Sequence, residues 1–147
     1  MKGQWTNIYS VDLALRSWWV DSVNDCKYVS ILLPEVFGIN NWIRSFSEKL
    51  AQQNVPVLAL PLYGRTAPNL DLEYSEEDLK LGRHHKNLTT LKNIIDDVSA
   101  AINWVKEKYP SKKISIIGFC FGGHAAFIAS SLKGIESSFC FYGAGIV

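Results

Sequence analysis

The run Gly118-Phe119-Cys120-Phe121-Gly122-Gly123 follows the apolar stretch Ile114-Ser115-Ile116-Ile117 and leads into Ala- and Ile-rich sequence with helical character. A strand that turns sharply into a helix accepts only small residues two positions before and after its apex, because larger side chains there collide with neighbouring backbone. Gly118 and Gly122 occupy those two positions around Cys120. The pattern predicts Cys120 at the carboxyl end of a strand, displayed above a helix N-terminus.

The rest of the chain supplies the sheet that such a turn requires. Tyr28 to Leu33 is β-branched and almost continuously apolar, as expected of a strand covered on both faces. Asn40 or Asn41 caps a helix carrying Trp42, Ile43, Phe46 and Leu50 at helical spacing, with Asn54 at its end. Val55 to Leu62 is the next strand, and Tyr63 to Asn87, without sustained period, reads as a long excursion at its end. Leu88, Leu91, Ile94, Ile95, Val98, Ile102 and Val105 mark one face of a long helix closed by Pro110. Ile114 to Phe119 is a strand, Gly122 to Leu132 a helix and Ser138 to Tyr142 a strand, followed by Gly143 and Gly145. This alternation predicts an α/β fold with a mostly parallel sheet and helices on both faces, in a single domain over 1–147. The aromatic-rich first 26 residues read as a leading hairpin at the sheet edge.

Composition narrows the partners. With 48% apolar and 20% charged residues the chain reads as soluble and globular rather than disordered. Fifteen basic and 14 acidic residues leave a net charge of +1, so nothing electrostatic calls for nucleic acid or an anionic membrane, and a small molecule is the expected ligand. Cys26, Cys120 and Cys140 are odd in number and lack metal-binding spacing, which argues against a disulfide framework, a zinc site or another metal cofactor. No secretory signal or bilayer-length apolar run is present, and cytoplasm is the expected compartment.

A cysteine at the predicted turn gains a helix N-terminus, which favours its thiolate, and the Phe121 backbone N–H, which can face a developing oxyanion. The second oxyanion donor should come from the loop after the Tyr28–Leu33 strand, where the Val36 amide is the candidate. A buried structural thiol is the alternative for Cys120, and the position between strand and helix favours a nucleophile. Cys26 and Cys140 read as structural. Cys140 is expected to pack as a small apolar side chain inside its strand. Among the histidines, His124 lies one turn into the helix and points from its side, and His84 and His85 lie in the excursion, where they serve as ligand contacts or solvated residues. Glu35, just past an apolar strand and Pro34, should share the rim with Cys120 and can hold the thiol's proton, a salt-bridged loop residue being the alternative.

Five blocks then resemble the dienelactone hydrolase family: Leu33-Pro34-Glu35-Val36-Phe37-Gly38-Ile39-Asn40, Leu62-Tyr63-Gly64-Arg65-Thr66-Ala67-Pro68, Asp97 with Ala100-Ala101-Ile102, the Gly118–Gly123 run, and Phe141-Tyr142-Gly143. The resemblance implies an α/β-hydrolase that opens lactone or carboxylic ester bonds through an acyl-cysteine intermediate, with no cofactor. It implies Cys120 as nucleophile, Glu35 as the glutamate that interacts with the resting thiol, and the Val36 and Phe121 amides as oxyanion hole. The family's arginine for the substrate carboxylate aligns nearest to Lys80, with Arg83 close by. Pro61 stands where the family commonly has aspartate. The triad aspartate and histidine of the family come from later loops with no counterpart in this sequence, so roughly the last third of the domain is expected to be missing. A chain without them is expected to be weakly active or inactive alone. The alternative is a non-catalytic binding or interaction module whose open sheet edge, at Ser138–Tyr142, pairs with another chain, for example in a homodimer.

Overall fold

A computed structural model describes residues 2–11 and 13–143, so Met1, Gly145 and Val147 of the sequence reading lie outside the described residues. The chain forms β1 (Gln4–Ser10), β2 (Leu13–Val20), β3 (Tyr28–Leu33), α1 (Asn41–Gln52), β4 (Val57–Ala59), α2 (Glu76–Asn87), α3 (Leu91–Lys108), β5 (Lys113–Phe119), α4 (Phe121–Ala129) and β6 (Ile135–Phe141). The described strands make one sheet in the order β1-β2-β4-β3-β5-β6. Strands β4, β3, β5 and β6 run parallel, while β2 joins β4 antiparallel and carries β1 as a hairpin on the outer edge. Because β3 lies between β4 and β5, the chain crosses from one side of β3 to the other after β4. A crevice at strand carboxyl ends opens at such a reversal.

The apolar run of β3 is continuous because both of its faces are covered. Leu32 packs with Val57, Ala59 and Ile117 on the side of α1, against Ile39 and Ile43. Ile31 and Leu33 point the other way, into the cluster formed with Ile94, Val98 and Val105 of α3 and Ala125 and Ala129 of α4. Helix α1 starts at Asn40, whose side chain accepts from the Ile43 amide, and ends before Asn54, which takes a left-handed φ of 62°.

Four expectations need correction. The strand expected over Val55–Leu62 is laddered only at Val57–Ala59, since Pro56 and Pro61 bracket it and lack the N–H that a ladder uses. The excursion from Tyr63 to Asn87 contains α2. That helix is specified by its ends rather than by apolar period: Ser75 caps it, Glu76, Glu77 and Asp78 fill the first turn, and His84, His85 and Lys86 fill the last. Leu88 is therefore the C-cap of α2, and α3 begins after Thr90, leaving Leu88 and Leu91 exposed. Cys140 is exposed rather than packed, because β6 is the edge strand among the described residues. Among the described residues no helix is long and apolar enough to cross a membrane.

The loop after β4 is tied down by a buried carboxylate. Asp97 of α3, with a side chain 2% exposed, accepts from Arg65 Nη1 at 2.8 Å and Nη2 at 3.0 Å, and from Ser10 Oγ at 2.7 Å. One carboxylate thus joins α3, the end of β1 and the loop leading to α2. Arg65→Ala leaves a buried carboxylate with its main counter-charge removed and is expected to cost about 3 kcal/mol in urea unfolding. Lys92→Ala, which breaks the exposed pair with Asp96 on α3, should change stability by no more than about 0.5 kcal/mol.

Candidate active site

Cys120 sits at the turn between β5 and α4 with φ 54° and ψ −116°, a left-handed φ that a non-glycine residue adopts at a cost of about 1–3 kcal/mol. The reason for small neighbours is visible in the packing. A Cβ on Gly118 would lie 1.9 Å from the Gly122 carbonyl oxygen, and one on Gly122 would lie 2.1 Å from that of Leu33. The turn is pressed backbone to backbone on itself and on the end of β3. The Cys120 amide donates to the Phe141 carbonyl at 2.9 Å, which leaves the Phe121 amide, first in α4 and without an intrahelical acceptor, as the nearest helix-end donor beyond it.

Glu35 and Val36 follow β3 at the same rim. Val36 is buried, and its carbonyl lies under Gly82 of α2, where an added Cβ would approach to 2.4 Å. The α2 helix therefore holds the Val36 loop in place. The Glu35 carboxylate accepts from Tyr74 Oη at 3.0 Å and from Tyr142 Oη at 3.1 Å, so its hydrogen bonds run to two phenols rather than to the thiol. Burial and then the Glu35 charge push the Tyr142 phenol up to about 12. Tyr74 is also raised, first by burial, with Glu35 contributing.

The other side of Cys120 is aromatic. Tyr63, 3% exposed, stacks on Phe121 with centroids 6.1 Å apart and planes at 16°. The His85 ring lies 5.8 Å from Tyr63, with Nδ1 2.9 Å from Thr66 Oγ1, and the Lys86 ammonium stands 5.8 Å from the Phe121 ring centroid. Burial, with His84 as a second cause, pushes the His85 imidazole down. Phe119 is surrounded by Trp42 at 5.0 Å, Phe46 at 5.2 Å, Phe141 at 5.1 Å and Tyr142 at 6.0 Å.

The structure thus brings Cys120, Glu35, Val36 and Phe121 to one rim. Lys80 and Arg83 are exposed on α2, whereas Lys86 of the same helix lies over Phe121. His124 is one turn into α4, its amide donating to the Cys120 carbonyl at 3.1 Å. Sequence reasoning did not single out Tyr63, Tyr74, Tyr142 or Lys86. Tyr63 and Tyr142 lie inside recognisable blocks, while Tyr74 carries no local signal. Among the described residues no group of three His, Cys, Asp or Glu could hold a metal ion.

Because the Glu35 charge opposes a second negative charge on its phenol partners, Glu35→Gln should lower the pH at which Tyr142 and Tyr74 ionise. The phenolate ultraviolet absorbance, followed through an alkaline titration, checks the direction; an unchanged titration would break the assignment.

The profile of the dienelactone hydrolase family matches residues 18–146. A Synechocystis sp. protein provisionally named a carboxymethylenebutenolidase is 33% identical over 120 residues, covering 80% of this chain and 49% of that protein. The carboxymethylenebutenolidase of Pseudomonas putida is 26% identical over 125 residues, covering 80% and 51%. The chain spans about half the length of the curated relatives it matches. A crystal structure from Klebsiella pneumoniae, provisionally named a dienelactone hydrolase, superposes with a TM-score of 0.81 at 22% identity, covering 96% of this chain and 59% of that one, which speaks for the fold. With a profile match over nearly its whole length and the matching α/β-hydrolase architecture, the chain belongs to the dienelactone hydrolase family.

Proposed function

We propose that this chain forms the nucleophile-bearing part of a hydrolase of lactone or carboxylic ester bonds, with Cys120 as nucleophile. The observation that carries the reading is the left-handed φ of 54° at Cys120, at a turn which Gly118 and Gly122 alone make possible. Such strain at a partly exposed residue between strand and helix is characteristic of a displayed nucleophile. The Cys120 thiolate attacks the acyl carbon, the carbonyl electrons move onto oxygen, and the Phe121 and Val36 amides receive that oxyanion. Collapse breaks the acyl C–O bond and leaves an acyl-cysteine; the released alkoxide, which in a lactone stays attached to the acyl chain, takes a proton from water, and a water molecule then cleaves the acyl-cysteine to the acid and free thiol.

Glu35, hydrogen-bonded through its two phenols, supplies the rim carboxylate beside the thiol. Lys80 and Arg83 are proposed to meet an anionic group of the substrate from the exposed side of α2. The aromatic group around Phe119 and the Tyr63–Phe121 stack favours an apolar or ring-shaped acyl portion. We place the family's triad aspartate and histidine in the half of the relatives that this chain does not match. Without an oriented imidazole, hydrolysis by the 147 residues should run about 10²–10⁴-fold below that of a complete site.

A second reading rests on the outer edge of β6. Phe139 and Phe141 are 50% and 46% exposed there, and a groove of about 490 Å³ runs along the sheet between Tyr28, Leu50, Ile117 and Phe139. On this reading the edge takes up another chain, such as a second copy.

Residual hydrolysis of p-nitrophenyl acetate should fall by about tenfold or more in Cys120→Ala. Equal rates in wild type and variant would overturn catalysis by Cys120 in this chain. Light scattering over a range of concentrations tests the second reading: self-association supports a homodimer, and a monomer throughout removes it.

A further inference from the structure

Helix α2 touches both residues proposed as oxyanion donors, and it does so from two positions one turn apart. Gly82 presses on the Val36 carbonyl, where an added Cβ would approach to 2.4 Å, and Lys86 holds its ammonium 5.8 Å from the Phe121 ring centroid. Residues four apart share a helix face, so Lys86 belongs to the inward stripe of α2 that also carries Leu79 and Gly82. It is accordingly partly buried, whereas Lys80 and Arg83 on the same helix are exposed.

Lysine is seldom withdrawn from water unless a carboxylate meets it. Among the described residues Lys86 has no ion pair and no side-chain hydrogen bond, and its one close partner is the Phe121 ring. An aromatic face attracts an ammonium without neutralising it. The rim carboxylate does not neutralise it either, because the two Glu35 oxygens accept from Tyr74 and Tyr142. A positive charge thus stands uncompensated beside the residue that follows Cys120.

We propose that Lys86 is the specificity-determining cation of the site, which receives a negatively charged group on the acyl portion of the substrate at the Phe121 side of Cys120. The inference rests on the reading of Cys120 as nucleophile and narrows the substrates to esters or lactones with an anionic acyl chain. Lys80 and Arg83, six and three residues earlier and open to solvent, stand on the approach, and Lys86 is the seat. A charge shielded from water is screened less than one on the open surface, so Lys86 discriminates anionic from neutral groups better than an exposed lysine does.

The test compares two reagents that differ in one charge, 2-sulfonatoethyl and 2-hydroxyethyl methanethiosulfonate, as they modify Cys120 in a Cys140→Ala background, with the site resolved by peptide mass spectrometry. Each leaves a short chain on the sulfur, in the place of the acyl portion. Both consume the same thiolate and release the same methanesulfinate, so the ratio of their rates cancels any change in thiol ionisation. Lys86→Met keeps an apolar stem on Phe121 and should lower the anionic-to-neutral ratio about threefold, while Lys86→Arg keeps it. Lys92→Met, which removes the same charge from an exposed position on α3, should leave the ratio as in wild type. An unchanged ratio in Lys86→Met would overturn the proposal. So would an equal fall in Lys92→Met, which means net charge alone, or an equal fall in Lys86→Arg, which means packing. Disulfide exchange involves no ester, so a Cys120→Ala variant that hydrolyses as fast as wild type sinks the hydrolase reading without touching this result.

Discussion

The close approach of three backbone segments at the end of β5 is the constraint around which the candidate site is arranged. The Gly118 residue faces the Gly122 carbonyl and Gly122 faces the Leu33 carbonyl at distances that exclude any side chain. That contact welds the β5–α4 turn to the end of β3, and so brings Cys120, carried by one strand, beside Glu35 and Val36, carried by the next. The left-handed φ at Cys120 is sustained by its surroundings: its amide is held by Phe141 at the end of β6, and its carbonyl accepts from His124 one turn into α4. Three neighbouring parallel strands therefore share responsibility for the geometry of one residue.

The remaining wall depends on the long connection after β4. Asp97 anchors the start of that connection through Arg65, and Gly82 sets the approach of α2 to the Val36 loop. Along that connection lie Tyr63, Thr66 and Tyr74, each in contact with a site residue or with a neighbour of one. The segment with the least apolar periodicity thus supplies much of the site lining. Loops carry function because they are free of the packing demands that fix strands and helices.

The candidate site was partly legible before folding because its strongest features are steric. Glycines at fixed offsets from Cys120, and a Pro-Glu pair after an apolar strand, report backbone requirements that act within a few residues. Helix α2 was not legible from apolar spacing, because its core-facing side is built of Gly82, Leu79 and partly buried polar residues rather than an apolar stripe. Its capping serine and the ordered charges at its two ends were the available signal. Cys140 was misplaced because burial of an edge strand depends on what lies beyond it, which a strand's own composition does not encode.

The sequence by itself determined the alternation of strands and helices, the sharp turn with Cys120 at its apex, and the family. Each of these follows from interactions within one turn of helix, one strand, or a short run of residues. Only the tertiary structure decided that the Glu35 carboxylate is bound by Tyr74 and Tyr142, residues 39 and 107 positions away, and that Tyr63 is buried beside Phe121 with its hydroxyl unpaired. The physical reason is that strand order, not sequence proximity, decides which loops meet at the rim. Short-range patterns specify the elements, and the crossing of the chain at β3 selects which side chains face one another.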